Sequence, residues 1–283
     1  MKPIKHIIVA TDFSVTSRNA FRYAKALAGK LDAILTVVHI QEHLIMVSDV
    51  MTVPLPSESD KTVIKNMEAF ISEENAPLDP SVAEHKVITK IISGNAAEIL
   101  TALSENDSTD LIVMGTTGLS DILTKIFGSV SIKVSNQAKC PVILVPRDTK
   151  WCPIERIMFA SNYDSMTPEA VNHVVDFAVS IDASIHFVNV RDYDPVFERK
   201  QKNINWNELF VKIESITLEK HTIYGNDTVK ELNKYVEEKS IDLTVFVSKH
   251  RNFWESLAHK SATENMALSG IAPMMVMHLD DKS

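Results

Sequence analysis

Three glycines, Gly115, Gly118 and Gly128, fall close together in a 283-residue chain that has only seven. They follow the apolar run Leu111-Ile112-Val113-Met114 and lead into Ser129-Val130-Ser131, giving the spacing G-x2-G-x9-G-S. Gly115 and Gly118 admit positive φ and let a ligand lie against bare backbone. A helix opening at Gly128 and Ser129 turns unpaired N–H groups and its positive dipole end towards an anion, most simply phosphate. Ser129 and Ser131 add hydroxyl donors. Any one of these glycines is equally well explained by a tight turn; the full set with its serine is a phosphate-binding signal. A second polar cluster, Thr11-Asp12-Phe13-Ser14, follows an earlier apolar run and supplies a carboxylate.

The surrounding elements bear on whether these loops can meet. Residues 4–10 read as a buried strand, and Phe21, Ala24, Ala28 and Leu31 recur at helical spacing, with Gly29 where that helix should end. Residues 33–40 are a second strand; 47–60 break regularity with two prolines; 61–75 are compatible with a helix. Val87, Thr89 and Ile91 mark a third strand, 94–106 a helix, 110–115 a fourth strand, 128–137 a helix and 140–146 a fifth strand. Strands that are apolar without alternation, separated by helices, indicate a parallel sheet covered on both faces. Ligands of such sheets sit at the carboxyl ends of the strands, where the strand order reverses. Asp12 and the glycine loop therefore face one crevice if the first and fourth strands flank the reversal.

The pattern then repeats. Residues 154–190 retrace 4–40, while 242–250 retrace 110–118 and 272–279 retrace 140–147 at a constant offset of 132. Two domains are expected, 1–147 and 148–283, joined near 147–153. The second copy loses the loop chemistry. Gly115 is matched by Val247, Gly118 by His250, Gly128 by Lys260 and Asp12 by Asn162; Ser261 alone keeps the serine of position 129. A β-branched valine is disfavoured at positive φ, so this copy is expected to be silent for nucleotide. Lys249, His250 and Arg251 read as a solvated basic loop, and His250 and His259 lack the spacing of a zinc set.

With G-x2-G-x9-G-[ST] filled at every slot, "VATDFS" around Asp12 and "CPVILVP" as last strand, the chain resembles the universal stress proteins, in two tandem copies of which the first matches better. The resemblance implies two doubly wound α/β domains, each a five-stranded parallel sheet with helices on both faces, paired as a pseudo-dimer. It implies an ATP site in the first domain, with Mg²⁺, at Ala10, Thr11, Asp12, Val38, Met114, Gly115, Thr116, Gly118, Gly128, Ser129, Val130 and Ser131. Asp12 would contact the nucleoside, and Val38 would meet adenine through its backbone. Gly115 and Gly118 would line the ribose and phosphates, and Gly128, Ser129 and Val130 would hold the phosphate tail.

Composition narrows the remaining options. The formal net charge of −8 carries no basic block, which speaks against nucleic acid and anionic membrane. No apolar run is long enough for a signal-peptide core or a membrane span, so a cytoplasmic protein is expected. Cys140 and Cys152 read as two reduced thiols. The expected function is an ATP-binding stress-response regulator with an adenine nucleotide, an unidentified protein partner, an intrachain pseudo-dimer and a homodimer as its associations. A nucleotide-free scaffold stays open. So does slow ATP hydrolysis, although the chain has no G-x4-G-K-[ST] loop, no kinase catalytic set and no evident base.

Overall fold

The computed structural model describes residues 2–42, 45–47, 52–54, 60–74, 87–106, 108–116, 128–160, 167–191, 216–248 and 272–278. The chain divides into two compact units, one built on Ile4–Gly118 and Phe127–Trp151, the other on Cys152–Ser283.

In the first unit the main strands are β1 (His6–Thr11), β2 (Ile34–Gln41), β5 (Val87–Ser93), β6 (Leu111–Gly115) and β7 (Val142–Val145). They lie in the order β5-β2-β1-β6-β7, every pair parallel. The chain steps outwards from β1 to β2 and β5, then crosses back to β6 on the other side of β1. The reversal thus falls between β1 and β6, as the sequence required for a crevice there. Helix α1 (Val15–Leu31) packs against α2 (Asp60–Glu74), and α3 (Ala96–Ser104) against α4 (Ser129–Gln137). Right-handed crossovers put the first pair on one face of the sheet and the second on the other. A short antiparallel ribbon, β3 (Ile45–Val47) with β4 (Thr52–Pro54), occupies part of the proline-interrupted segment.

Helix α1 shows how the local sequence sets these bounds. Ser14 caps it by accepting a hydrogen bond from the Ser17 N–H, and its buried stripe includes Phe21, Ala24, Leu27, Ala28 and Leu31. Phe21 and Phe70 of α2 meet edge to face at 5.4 Å, both fully buried. Burial of each ring is worth roughly 1.5–3 kcal/mol. Gly29 does not end the helix. Asp32 does, at φ 51, its N–H reaching the carbonyls of Ala28 and Gly29. A short polar side chain tolerates this left-handed position, and the terminator expected at glycine falls three residues later on aspartate.

The second unit repeats the arrangement. Its strands β8 (Arg156–Ala160), β9 (Ser184–Arg191), β10 (Leu218–Tyr224), β11 (Leu243–Ser248) and β12 (Met274–His278) lie in the order β10-β9-β8-β11-β12, again all parallel. Its described helices are α5 (Pro168–Ile181) and α6 (Thr228–Lys239). Asp182 ends α5 at φ 59, matching Asp32. Asp110 accepts the N–H groups of Lys5 and His6 ahead of β1, and Asp242 accepts those of Glu155 and Arg156 ahead of β8. Met274, Met275 and Met277 are buried strand packing, as expected.

Cys140 and Cys152 are free thiols, Cys140 buried. No helix among the described residues is long and apolar enough to cross a membrane.

Candidate functional site

The carboxyl ends of β1 and β6 form the base of the site. Strand β1 ends at Thr11, whose hydroxyl lies 3.0 Å from Ser17 Oγ and accepts the Phe13 N–H at 3.0 Å. The next residue, Asp12, is exposed and accepts the Ser14 N–H at 3.0 Å, closing a tight turn into α1. Desolvation raises the Asp12 carboxyl, but the hydrogen bonds from Ser14 and Ser17 outweigh it and leave it below the usual carboxylate range. The carboxylate is thus ionised at neutral pH.

Between these residues Phe13 adopts φ 64, a left-handed conformation uncommon outside glycine. Its ring stacks on His39 of β2 at 4.4 Å and meets Phe70 edge-on at 5.8 Å. His39 in turn places Nδ1 2.9 Å from the Thr11 carbonyl. Phe13 and His39 hold the shape of the loop, and sequence reasoning overlooked both. The aromatic inside "TDFS" was the available signal; His39 had none.

Across the crevice, Gly115 ends β6 in extended backbone, not in the left-handed region. This corrects the expectation that its φ is positive. The residue must be small for another reason: a Cβ there would lie 2.8 Å from Thr16 Cγ2 and 2.8 Å from the Thr16 carbonyl oxygen. Glycine at 115 lets the first turn of α1 rest on the end of β6, which carries Asp12 to the sheet's switch point. Among described glycines, Gly94 has the left-handed φ, at 148.

The N-terminus of α4 also lies at the carboxyl end of the sheet, by the antiparallel run of helix against strands. Gly128 is its N-cap at φ −67, ψ 153 and makes no side-chain capping bond. The first intrahelical bond runs from Ile132 N to Gly128 O, so the N–H groups of Ser129, Val130 and Ser131 come before it. Ser129 is exposed, Val130 half-buried and Ser131 buried.

The remaining candidates lie deeper. Ala10 is half-buried near the end of β1, and Met114 is buried inside β6. Thr116 is buried, with its N–H donated to the Val145 carbonyl. Val38 is fully buried within β2, aligned with Ala10 on one side and Lys90 on the other. Ile40 and Gln41 are the β2 positions beyond the end of β1. Gly118 lies outside the described residues, as do Asn162, Lys249, His250, Arg251, His259, Lys260 and Ser261 of the second copy.

In the second unit the place of Gly115 is taken by Val247, buried in β11 opposite Met277. Because the position is ordinary strand, valine is not excluded by φ, contrary to the sequence argument. Helix α5 begins at Pro168 behind the cap Thr167, whereas α1 begins at Val15, whose counterpart is Ser165. Relative to that counterpart α5 starts three residues later than α1.

Comparison with known proteins supplies the affiliation. The model of the universal stress protein family matches residues 3–146, half of the chain. The chain belongs to the universal stress protein family. A universal stress protein of Methanocaldococcus jannaschii is 31% identical over 150 residues, covering 52% of this chain and 84% of that protein. One from Thermus aquaticus is 35% identical over 141 residues, covering 50% of this chain and 98% of its own length. A universal stress protein structure from Archaeoglobus fulgidus shares the fold along 98% of this chain and 97% of its own, with TM-score 0.65 at 18% identity.

Proposed function

We propose that this universal stress protein is a nucleotide-binding regulator that takes one ATP per chain, in a domain comprising residues 1–147, while the domain 148–283 takes none. The observation that carries the reading is the N-terminus of α4. Ser14, Asn95, Thr167 and Asp227 each cap their helices with a side-chain oxygen, whereas Gly128 offers none. Three N–H groups and the helix dipole are left for an anion at the carboxyl end of a parallel sheet.

Ser129, Val130 and Ser131 would bind the phosphate tail through their backbone N–H groups, and the exposed Ser129 hydroxyl would add a donor. Asp12, ionised across the crevice, would accept from a ribose hydroxyl or hold Mg²⁺ beside the phosphates. Magnesium would neutralise phosphate charge. No described group stands ready to activate a water, so occupancy rather than turnover is the proposed signal. Val247 in place of glycine favours a second unit that serves as scaffold for a protein partner.

The test is calorimetric titration of the full chain with ATP and MgCl₂. One site is expected, weakened by Ser129→Ala by roughly 1.5–3 kcal/mol, the worth of a hydrogen bond to a charged group. Two equal sites, or no heat at all, would overturn the reading.

A further inference from the structure

Strands β9 and β10 of the second unit carry a group of side chains that the nucleotide reading leaves unused. In their parallel register His186 faces Glu219 and Val188 faces His221. Glu219 and His221, two apart on one strand, project from the same face, the face on which His186 stands. His221 Nε2 lies 2.9 Å from Glu219 Oε2, and His186 Nδ1 lies 3.9 Å from that same oxygen. The two imidazoles stack at 5.5 Å and 15°. From α6, the buried Tyr235 brings its hydroxyl 2.8 Å from His186 Nδ1.

We propose that His186, Glu219 and His221 bind a divalent transition ion of the zinc class. One donor atom from each residue lies within 4.8 Å of the other two. Tetrahedral zinc with bonds of about 2.0–2.1 Å sets its donors about 3.4 Å apart. Small rotations of the exposed Glu219 and half-buried His221 side chains close that difference, while the buried His186, with its proton on Nε2, gives the Nδ1 lone pair to the ion in place of the Tyr235 hydroxyl. Two imidazoles and one carboxylate suit zinc and its neighbours, not magnesium or calcium, which take oxygen.

Protons balance without a reaction. A carboxylate only accepts, so the metal-free His221 carries its proton on Nε2, towards Glu219. Loading moves that proton to Nδ1 and gives the Nε2 lone pair to the ion. The Tyr235 hydroxyl then stands beside the coordinated His186, placed to hydrogen-bond a water in the fourth position. The set is particular to the second unit. At the same places in the first unit, where Leu35 faces Val87 as Ile185 faces Leu218, stand Thr36, Ile88 and Lys90. The ion would tie β10, the end strand of this order, to β9.

The experiment uses the full chain and ZnCl₂ alone, in a non-chelating buffer, read by calorimetry and thermal unfolding, with CoCl₂ absorbance reporting nitrogen ligation. Zinc is expected to bind at one strong site and to raise the unfolding temperature. Glu219→Gln and His221→Asn, both on accessible side chains, should each weaken it at least tenfold and remove the cobalt bands, while ATP binding and circular dichroism stay as in the parent. No zinc binding, or binding that both variants retain, overturns the proposal.

Discussion

Gly115 and Thr16 are in contact through backbone: an added Cβ on the glycine would sit 2.8 Å from the Thr16 carbonyl oxygen. No side-chain rotation relieves a clash with main chain. Gly115→Ala should therefore destabilise the first unit by roughly 1–3 kcal/mol, as overpacking does elsewhere. Urea unfolding checks this. Adding Thr16→Ala removes Cγ2 but not the carbonyl and should restore little.

At the N-terminus of α4 the prediction separates stability from binding. Gly128 has a φ and ψ that any residue adopts, so an aspartate there can cap α4. Gly128→Asp should leave stability unchanged or raise it by a few tenths of a kcal/mol, while its charge repels phosphate and abolishes ATP binding. A variant that is stable and still binds ATP at parent affinity would remove the α4 terminus from the site.

Asp110 and Asp242, just ahead of β6 and β11, form a matched pair at the starts of β1 and β8. Each accepts two backbone N–H groups. Asp110→Ala and Asp242→Ala should cost similar amounts, roughly 1–3 kcal/mol for each donor left unsatisfied in a buried setting and less where water reaches it. Denaturant curves of the two variants, read side by side, test the equivalence. A large cost at one and none at the other would break it.

Cys140 gives a pH dependence. Burial, chiefly, pushes its thiol from 9.0 up to about 12. The folded form keeps the proton that the unfolded form loses, so this contribution to stability is complete below pH 9 and is lost as the pH rises towards 12. Cys140→Ala should flatten that alkaline limb. In the native protein at pH 8, iodoacetamide should leave Cys140 unlabelled until denaturant is added.

Much of this fold could be read from residue pattern, because buried parallel strands are apolar throughout and the helices carry their stripes at fixed spacing. The strand bounds at Val87–Ser93 and Leu111–Gly115 fell within a residue or two of expectation. The reversal between β1 and β6 stood in the sequence only as a condition, which the strand order meets. Legibility failed where long-range contact decides. Gly115 looked like a left-handed turn residue, but its smallness answers to Thr16, far away in sequence. Asp32 took the helix end expected at Gly29, because the last turn it adds buries Leu31 and a short aspartate tolerates the left-handed position. His186, Glu219 and His221 escaped notice because their grouping exists only in the register of β9 against β10.

The recurrence of Asp32 as Asp182, and of Asp110 as Asp242, gives the molecule an internal reference standard. On the proposed reading, a substitution made at matching places in both halves reports framework cost in the half with Val247 and framework plus ligand cost in the half with Gly115. Subtracting one from the other isolates the ligand's share within a single polypeptide, at one concentration and in one buffer.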